Sequence, residues 1–189
     1  MSQDIRDVTA VSMPPAGRWE LDPAHSSAEF VARHVLTKAR GRFGTLAGTI
    51  DLAERPEDSS VEVEIDAASI STGVQQRDDN LRSPDFLDVE RYPKLTFKST
   101  SVRPTGGSRF ELVGDLTIKD ITNEVVLDAE YLGWQQDPFG NTVASFSAKT
   151  EIEREDWDMS WNVAIESGGL LVGKKVEIEI EAEAQHKPA

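Results

Sequence analysis

Apolar and polar residues alternate along most of this chain with the two-residue period of a β-strand. In Ser60–Asp66 (SVEVEID), Val61, Val63 and Ile65 fall on one side and Glu62, Glu64 and Asp66 on the other. The stretch 175–184 (KVEIEIEAEA) repeats the arrangement, with Val176, Ile178, Ile180 and Ala182 opposed to Glu177, Glu179, Glu181 and Glu183. Further segments follow at 27–35, 44–52, 94–102, 109–118, 124–133 and 142–153. Each predicts a strand with one dry and one wet face, as antiparallel sheets have. The glutamate rows also discourage edge-to-edge association. RPTGGS (103–108), KDITN (119–123) and DPFGN (137–141) supply turns between neighbours. Two stretches, 72–92 and 159–172, do not alternate. The first tolerates a helix, and Ser83-Pro84-Asp85 resembles a cap followed by proline at the first helical position. Eight mostly consecutive strands predict an all-β fold, an antiparallel up-and-down barrel or a sandwich. Parallel βαβ units need long helical crossovers, and one connection alone is long enough to hold much helix.

A length of 189 residues suits one domain with a sizeable core. The hydrophobic share of 38% is low, as strands wet on one face require. Net charge is −14, from 34 acidic against 20 basic residues. Such a field repels a phosphate backbone, so nucleic acid is not an expected partner, and an anionic membrane surface is disfavoured likewise. The lack of cysteine excludes disulfides, thiolate metal sites and a Cys nucleophile. Residues 1–16 hold no apolar run of signal-peptide length and are expected to be a flexible arm. The folded domain is expected over 17–185, with 186–189 a tail. No segment is apolar and long enough for a membrane-spanning helix, and the expected location is the cytoplasm.

Several motifs suggest chemistry. Gly168, Gly173 and Lys174 fit G-x-x-x-x-G-K, but Lys175 stands where a P-loop needs Ser or Thr, and a strand pattern follows where it needs a helix. Asp22, His25, Ser26 and Ser27 in LDPAHSS hold triad residue types, yet neighbouring strand residues point apart, and a turn opening a strand explains them better. His34 ends a strand in phase with Phe30 and Ala32; a satisfied core histidine is the first reading and a polar ligand contact the second. Zinc would want a recognisable ligand spacing, which is absent. Asp78 and Asp79 could suggest a diphosphate–magnesium site, but Leu81 and Arg82 occupy the positions where further acids are needed. Local ion pairs with Arg77 and Arg82 explain them more simply. No catalytic residue and no metal ligand is assigned.

The apolar phases place Phe30, Phe43, Phe97, Phe110 and Phe146 in one interior, with Trp134, Trp157 and Trp161 near connections. Ala32, Gly48, Gly114, Ala144 and Ala148 share those phases, and small interior residues leave room for an elongated apolar cavity.

Several separated runs carry a resemblance: LDPAHSSAEFVARHV, GRFGTLAGTIDL, SISTG with QQRDDNLRSPDFLDVERYPKLTFKST, VGDLTIKDITNEVVLDAE, DPFGN and IEREDWDMSWN. Together they resemble the YceI-like polyisoprenoid-binding family across nearly the whole ordered chain. The resemblance implies an extended, lipocalin-like, eight-stranded antiparallel β-barrel around a hydrophobic tunnel, with one or two short helical connections. It implies a non-catalytic protein that binds a long-chain amphiphile, such as a polyisoprenoid, a fatty amide or an isoprenoid quinone precursor, for storage, transport or metabolism. No other cofactor is expected. Similar proteins form homodimers, so a homodimer is implied too; many relatives are periplasmic. Phase and resemblance together give the expected ligand-lining residues: Phe30, Ala32, His34, Phe43, Leu46, Ile50, Leu95, Phe97, Leu116, Ile118, Phe146 and Trp161. Two other readings remain: a protein-interaction or stress-response module using the acidic surface, and an enzyme using His34 inside the cavity.

Overall fold

The computed structural model describes residues 12–164, 166 and 171–189. Every alternating segment forms a strand, and three of the eight run further than the alternation does. In chain order the strands are β1 (Gly17–Leu21), β2 (Ser27–His34), β3 (Thr37–Phe43), β4 (Leu46–Leu52), β5 (Ser60–Asp66), β6 (Ile70–Ser71), β7 (Lys94–Gly106), β8 (Arg109–Ile118), β9 (Ile121–Gln136), β10 (Thr142–Glu153) and β11 (Val172–Lys187). A single α-helix, α1 (Gln75–Arg82), lies between β6 and β7 among the described residues.

The unexpected β1 closes the sheet. Trp19 pairs with Ile50 of β4 along one edge and with His186 of β11 along the other. Antiparallel pairing then runs β1-β4-β5-β7-β8-β9-β10-β11 and returns to β1, a closed ring of eight strands. After a turn, β2 continues alongside β11, with Phe30 opposite Ile178. Ser26 Oγ bridges the interruption, donating to the Glu183 carbonyl at 3.2 Å and accepting from its N–H at 3.1 Å. β3, paired with β2, leads into β4 past a break at Gly44. The pairs β1/β2 and β3/β4 thus act as two interrupted long strands. At the β2–β3 end closure is incomplete, because β3 meets β6 only at Arg42 and Phe43.

Two hydrophobic clusters fill the interior. One gathers Trp19, Tyr131, Ala144 and Ala184 at the closed end, with Trp19 only 1% exposed. The expected arm is partly docked there: Trp19 Nε1 donates to the Pro15 carbonyl at 3.1 Å, and Tyr131 Oη to the Ser12 carbonyl at 3.0 Å. Residues 1–11 of that arm lie outside the described residues. At the other terminus His186 and Lys187, expected in the tail, belong to β11, because β1 gives them a strand to pair with. The second cluster joins barrel residues such as Leu112, Leu127 and Ile152 to Phe86, Leu87, Trp157 and Met159 from the connections.

Two expectations need correction. Ser83 does not start a helix; it ends one. α1 finishes at Arg82, and Ser83 at its C-cap donates Oγ to the Asn80 carbonyl at 2.6 Å. Proline disfavours helical backbone in the residue before it, so Pro84 terminates α1 rather than opening a new helix. The small interior residues Gly48, Gly114 and Ala144 do not leave empty space. A Cβ on Gly114 would lie 2.5 Å from Phe97 Cζ and 2.6 Å from the Lys98 carbonyl, and one on Gly48 would lie 2.6 Å from the Glu62 carbonyl. In a tightly coiled sheet such glycines admit close backbone and overlying rings.

Gly114→Ala should therefore lower the unfolding free energy by about 1–3 kcal/mol. Gly44→Ala, at a position with no neighbour within 4 Å of a built Cβ, should stay within about 0.5 kcal/mol of the parent. Paired urea unfolding curves check both, and equal losses would refute the packing argument.

Candidate ligand cavity

The inward phases of the strands enclose a cavity of about 800 Å³. Its wall is mostly apolar along the barrel, because alternation sends the glutamate rows outward, and Ser26, Glu29, Ser147, Thr150 and Glu181 are the polar exceptions there. At one end the Trp19 cluster seals it. At the other, Phe86, Leu87, Met159 and Trp161 fold over from the connections, with the Phe86 and Trp161 rings 5.7 Å apart. Between this cover and the β2–β3 hairpin the wall turns polar, with Arg33, His34, Thr72, Gln76, Arg77 and Asn80. That is the mouth.

All the expected lining residues, Phe30, Ala32, His34, Phe43, Leu46, Ile50, Leu95, Phe97, Leu116, Ile118, Phe146 and Trp161, stand on this wall. His34 is exposed rather than a core histidine, because β2 ends there, opposite Thr37 and Val172. The same phases also contribute Ile65, Phe110, Leu112, Leu127, Ile178 and Ile180, which alternation alone could have added. Leu87, Met159 and Arg154 come from elements without that period, so the pattern carried no signal for them.

Arg154 is 3% exposed. Its guanidinium donates to four backbone carbonyls: Gly173 at 2.9 Å, Trp161 at 3.0 Å, Val172 at 3.3 Å, and Met159. Burial lowers its pKa from the ordinary arginine value, with Glu155 partly opposing. The charge is used as a clasp, tying the irregular backbone after β10 to the start of β11 and lying 5.7 Å from the Phe86 ring centroid.

The segment around Asp78 and Asp79 is a second clasp. The buried Asp78 carboxylate accepts from Thr72 N–H at 2.8 Å and Thr72 Oγ1–H at 2.6 Å. Arg77 holds the same threonine, Nε donating to Oγ1 at 2.7 Å. Arg82 reaches back to the carbonyls of Ala68 at 3.0 Å and Ile70 at 2.6 Å. Asp79 faces away, accepting from Gln75 at 2.7 Å and pairing with Arg82 at 3.6 Å. The two aspartates therefore do not share a cation.

The remaining motifs lack the partners their chemistry needs among the described residues, and of their members only Ser26 lines the cavity. Gly168 lies outside the described residues, while Gly173 and Lys174 are inside β11, a strand where a P-loop requires a helix. Asp22 Oδ2 meets His25 Nδ1 at 2.8 Å on the turn after β1, but Ser26 is engaged with Glu183 backbone, so no triad forms. The hydrogen bond to Asp22 raises the His25 pKa above the ordinary histidine value and lowers that of Asp22. With Glu183 this pair forms the one His–carboxylate group of possible ligand geometry among the described residues, atoms within 4.8 Å of one another. At the closed end, burial pushes the Tyr131 hydroxyl up to about 12.

A closed antiparallel barrel of eight strands with one helix matches a known domain. The YceI-like domain family covers residues 19–184. The chain belongs to that family. Among YceI-like relatives, a UPF0312 protein of Staphylococcus aureus is 36% identical over 166 residues, 86% of this chain and 94% of that one. A UPF0312 protein of Vibrio parahaemolyticus is 36% identical over 138 residues, 72% of this chain and 73% of the other. Of solved structures, the Campylobacter jejuni YceI protein superposes with a TM-score of 0.69 at 26% identity, covering 82% of this chain and 90% of its own. Burkholderia cenocepacia BcnA gives 0.74 at 21% identity, over 86% and 98% of the two chains. A polyisoprenoid binding domain from Saccharophagus degradans gives 0.70 at 14% identity, over 89% and 98%. These last two establish likeness of fold.

Asp78→Ala strands the Thr72 donors and should lower stability by about 2–3 kcal/mol in denaturant titrations. The apolar barrel wall should stay intact, so a stably folded Asp78→Ala protein should still bind the apolar chain, and loss of that binding would make the clasp itself part of the site. The His25 contribution should be present below its unfolded value of 6.5 and fade as pH rises through the raised folded value. His25→Ala should thus melt below the parent in mildly acidic buffer and coincide with it in alkaline buffer; a pH-independent gap would contradict the ion pair.

Proposed function

We propose that this YceI-like chain binds a long-chain amphiphile, a polyisoprenoid or a related lipid such as a fatty amide or an isoprenoid quinone precursor, and stores or carries it without chemical change. The observation that carries the reading is the cavity itself: about 800 Å³, apolar for most of its length, with a group of polar side chains gathered at its mouth. That size falls in the roughly 300–1,000 Å³ range of small-molecule sites. Branched-chain and aromatic walls offer no hydrogen-bond code, so they select for length and width, while the mouth meets the polar head. The polyisoprenoid binding domain of Saccharophagus degradans, alike in fold, supports the same ligand class.

Magnitudes favour tight binding. Burying a methylene contributes about 0.8 kcal/mol, so a five-carbon isoprene unit gains roughly 3–4 kcal/mol before ordering costs. About six such units would reach the ~20 kcal/mol ceiling of non-covalent affinity, so ordering of the chain must offset much of the gain. A catalytic reading would need an acid–base partner for His34. The His–carboxylate pairs among the described residues belong instead to His25, outside the cavity.

Native mass spectrometry of freshly purified protein should show a co-purified long-chain mass, and prenyl alcohols should change the emission of Trp161. Ala148→Trp, which fills the wall opposite Ile180, should weaken prenyl binding by roughly tenfold or more while the protein stays folded. The reading fails if no lipid co-purifies and long prenyl chains leave tryptophan emission unchanged.

A further inference from the structure

The net charge of −14 conceals a local reversal. From Arg33 to Phe43 the chain carries Arg33, Lys38, Arg40 and Arg42 and no acidic residue. The pairing of β2 with β3 sets Arg33 opposite Lys38, Val31 opposite Arg40 and Glu29 opposite Arg42. The alternate positions Phe30, Ala32, His34 and Ala39 face the cavity, so Lys38, Arg40 and Arg42 share the outer face; Arg33 stands at the cavity rim, where β2 is about to end, and all four cations are exposed. Arg33 and Lys38 are directly opposed like charges, which works against the pairing. Several other outer-face cations meet carboxylates: Lys94 with Glu64, Lys98 with Glu62, Arg109 with Asp128, Lys175 with Glu151. Among the described residues, no ion pair involves Arg33, Lys38, Arg40 or Arg42.

Apolar groups stand at the same end. The turn between β2 and β3 projects Leu36, 90% exposed, from a backbone that holds the β-branched Val35 at a left-handed φ of 54°. The Val35 N–H donates to the Leu171 carbonyl, and the Leu171 N–H to the carbonyl of Val163, itself 47% exposed. Val74, also 47% exposed, Leu171 and Val172 line the cavity wall here beside Arg33 and His34. An apolar rim and unneutralised cations therefore surround one opening.

We propose that the β2–β3 hairpin docks the cavity mouth onto an anionic lipid bilayer, Leu36 entering the headgroup layer while Arg33, Lys38 and Arg40 meet lipid phosphates. Cations on an open edge could serve only to block strand addition, but that role does not call for an exposed leucine at the tip. Glu29 stands opposite Arg42 and Glu177 opposite Val31, but charges beyond about 8 Å are largely screened at physiological ionic strength, so the rest of the acidic surface does not cancel Arg33, Lys38 and Arg40. This local arrangement overrides the expectation, drawn from net charge, that such a surface is avoided. The purpose of docking, exchange of a lipid with the cavity, rests on the proposed function, but adhesion itself is measured without any cavity ligand.

The test is co-sedimentation with vesicles of phosphatidylcholine alone and of phosphatidylcholine mixed with phosphatidylglycerol, at low and high salt. The protein should sediment with the mixed vesicles only, and less in high salt. Each cation near an anionic surface strengthens binding about fivefold, so R33A/K38A/R40A should weaken it by roughly a hundredfold. Leu36→Asp, at an exposed tip where folding is not at stake, should also weaken it, whereas Lys149→Ala, on the outer face of β10, should not. No adhesion of the parent protein at low salt, or adhesion that survives in a folded triple variant and in Leu36→Asp, overturns the proposal. Self-association abolished by the same variants, without vesicle binding, overturns it in favour of a second copy of this chain. Prenyl binding measured in parallel separates the two ideas: an intact cavity with no adhesion defeats docking alone.

Discussion

Barrel closure rests on β1, whose five residues GRWEL are shared between two neighbours. Without this strand, β4 and β11 would be open edges, and the barrel would be an open sheet exposing its apolar face. Trp19 fixes the arrangement. Its backbone pairs on both sides, while its indole fills the barrel end against Ala144 and Ala184, which are small enough to admit it. The indole N–H would be costly to bury unpaired, and the Pro15 carbonyl satisfies it. A solid plug at this end leaves the interior to be entered from the other.

That other end is held by a different kind of interaction. Its backbone is irregular, so its carbonyls and N–H groups have no ladder to join, yet they lie beside an apolar cavity. Charged side chains take the place of ladder partners. Arg154 gathers carbonyls on both sides of the segment before β11, Arg82 those of Ala68 and Ile70, and Asp78 with Arg77 grips Thr72. These are charge-assisted bonds in a low-dielectric setting, stronger than neutral ones and specific in geometry. The clasps position Phe86, Leu87 and Trp161 over the cavity without sealing it, as the proposed long apolar guest with a polar head would require.

Alternation by itself determined a great deal. Two-residue periodicity fixed which segments are strands, which face of each is dry, and hence that Phe30, Phe97, Leu116 and Phe146 share one interior. These are local properties, set by the geometry of each strand. That the metal and phosphate motifs lack the residues such chemistry needs was also legible, since it is a matter of spacing alone. β1 and β3 escaped notice for physical reasons: β1 is too short to show a period, and the inward positions of β3 include Ala39 and Gly41, too small to mark an apolar face.

Only the tertiary structure decided the rest. That Trp19 closes the ring depends on residues far apart in sequence, Ile50 and His186, arriving on its two edges. The small residues Gly48 and Gly114 meant close backbone and ring approach rather than empty space, because what fills a glycine's vacancy is a neighbouring strand. Composition could sum the charges to −14, but only pairing register could show where they are left unneutralised. Periodicity reports how one strand divides wet from dry; closure, capping and the placement of charge are set by which strands meet.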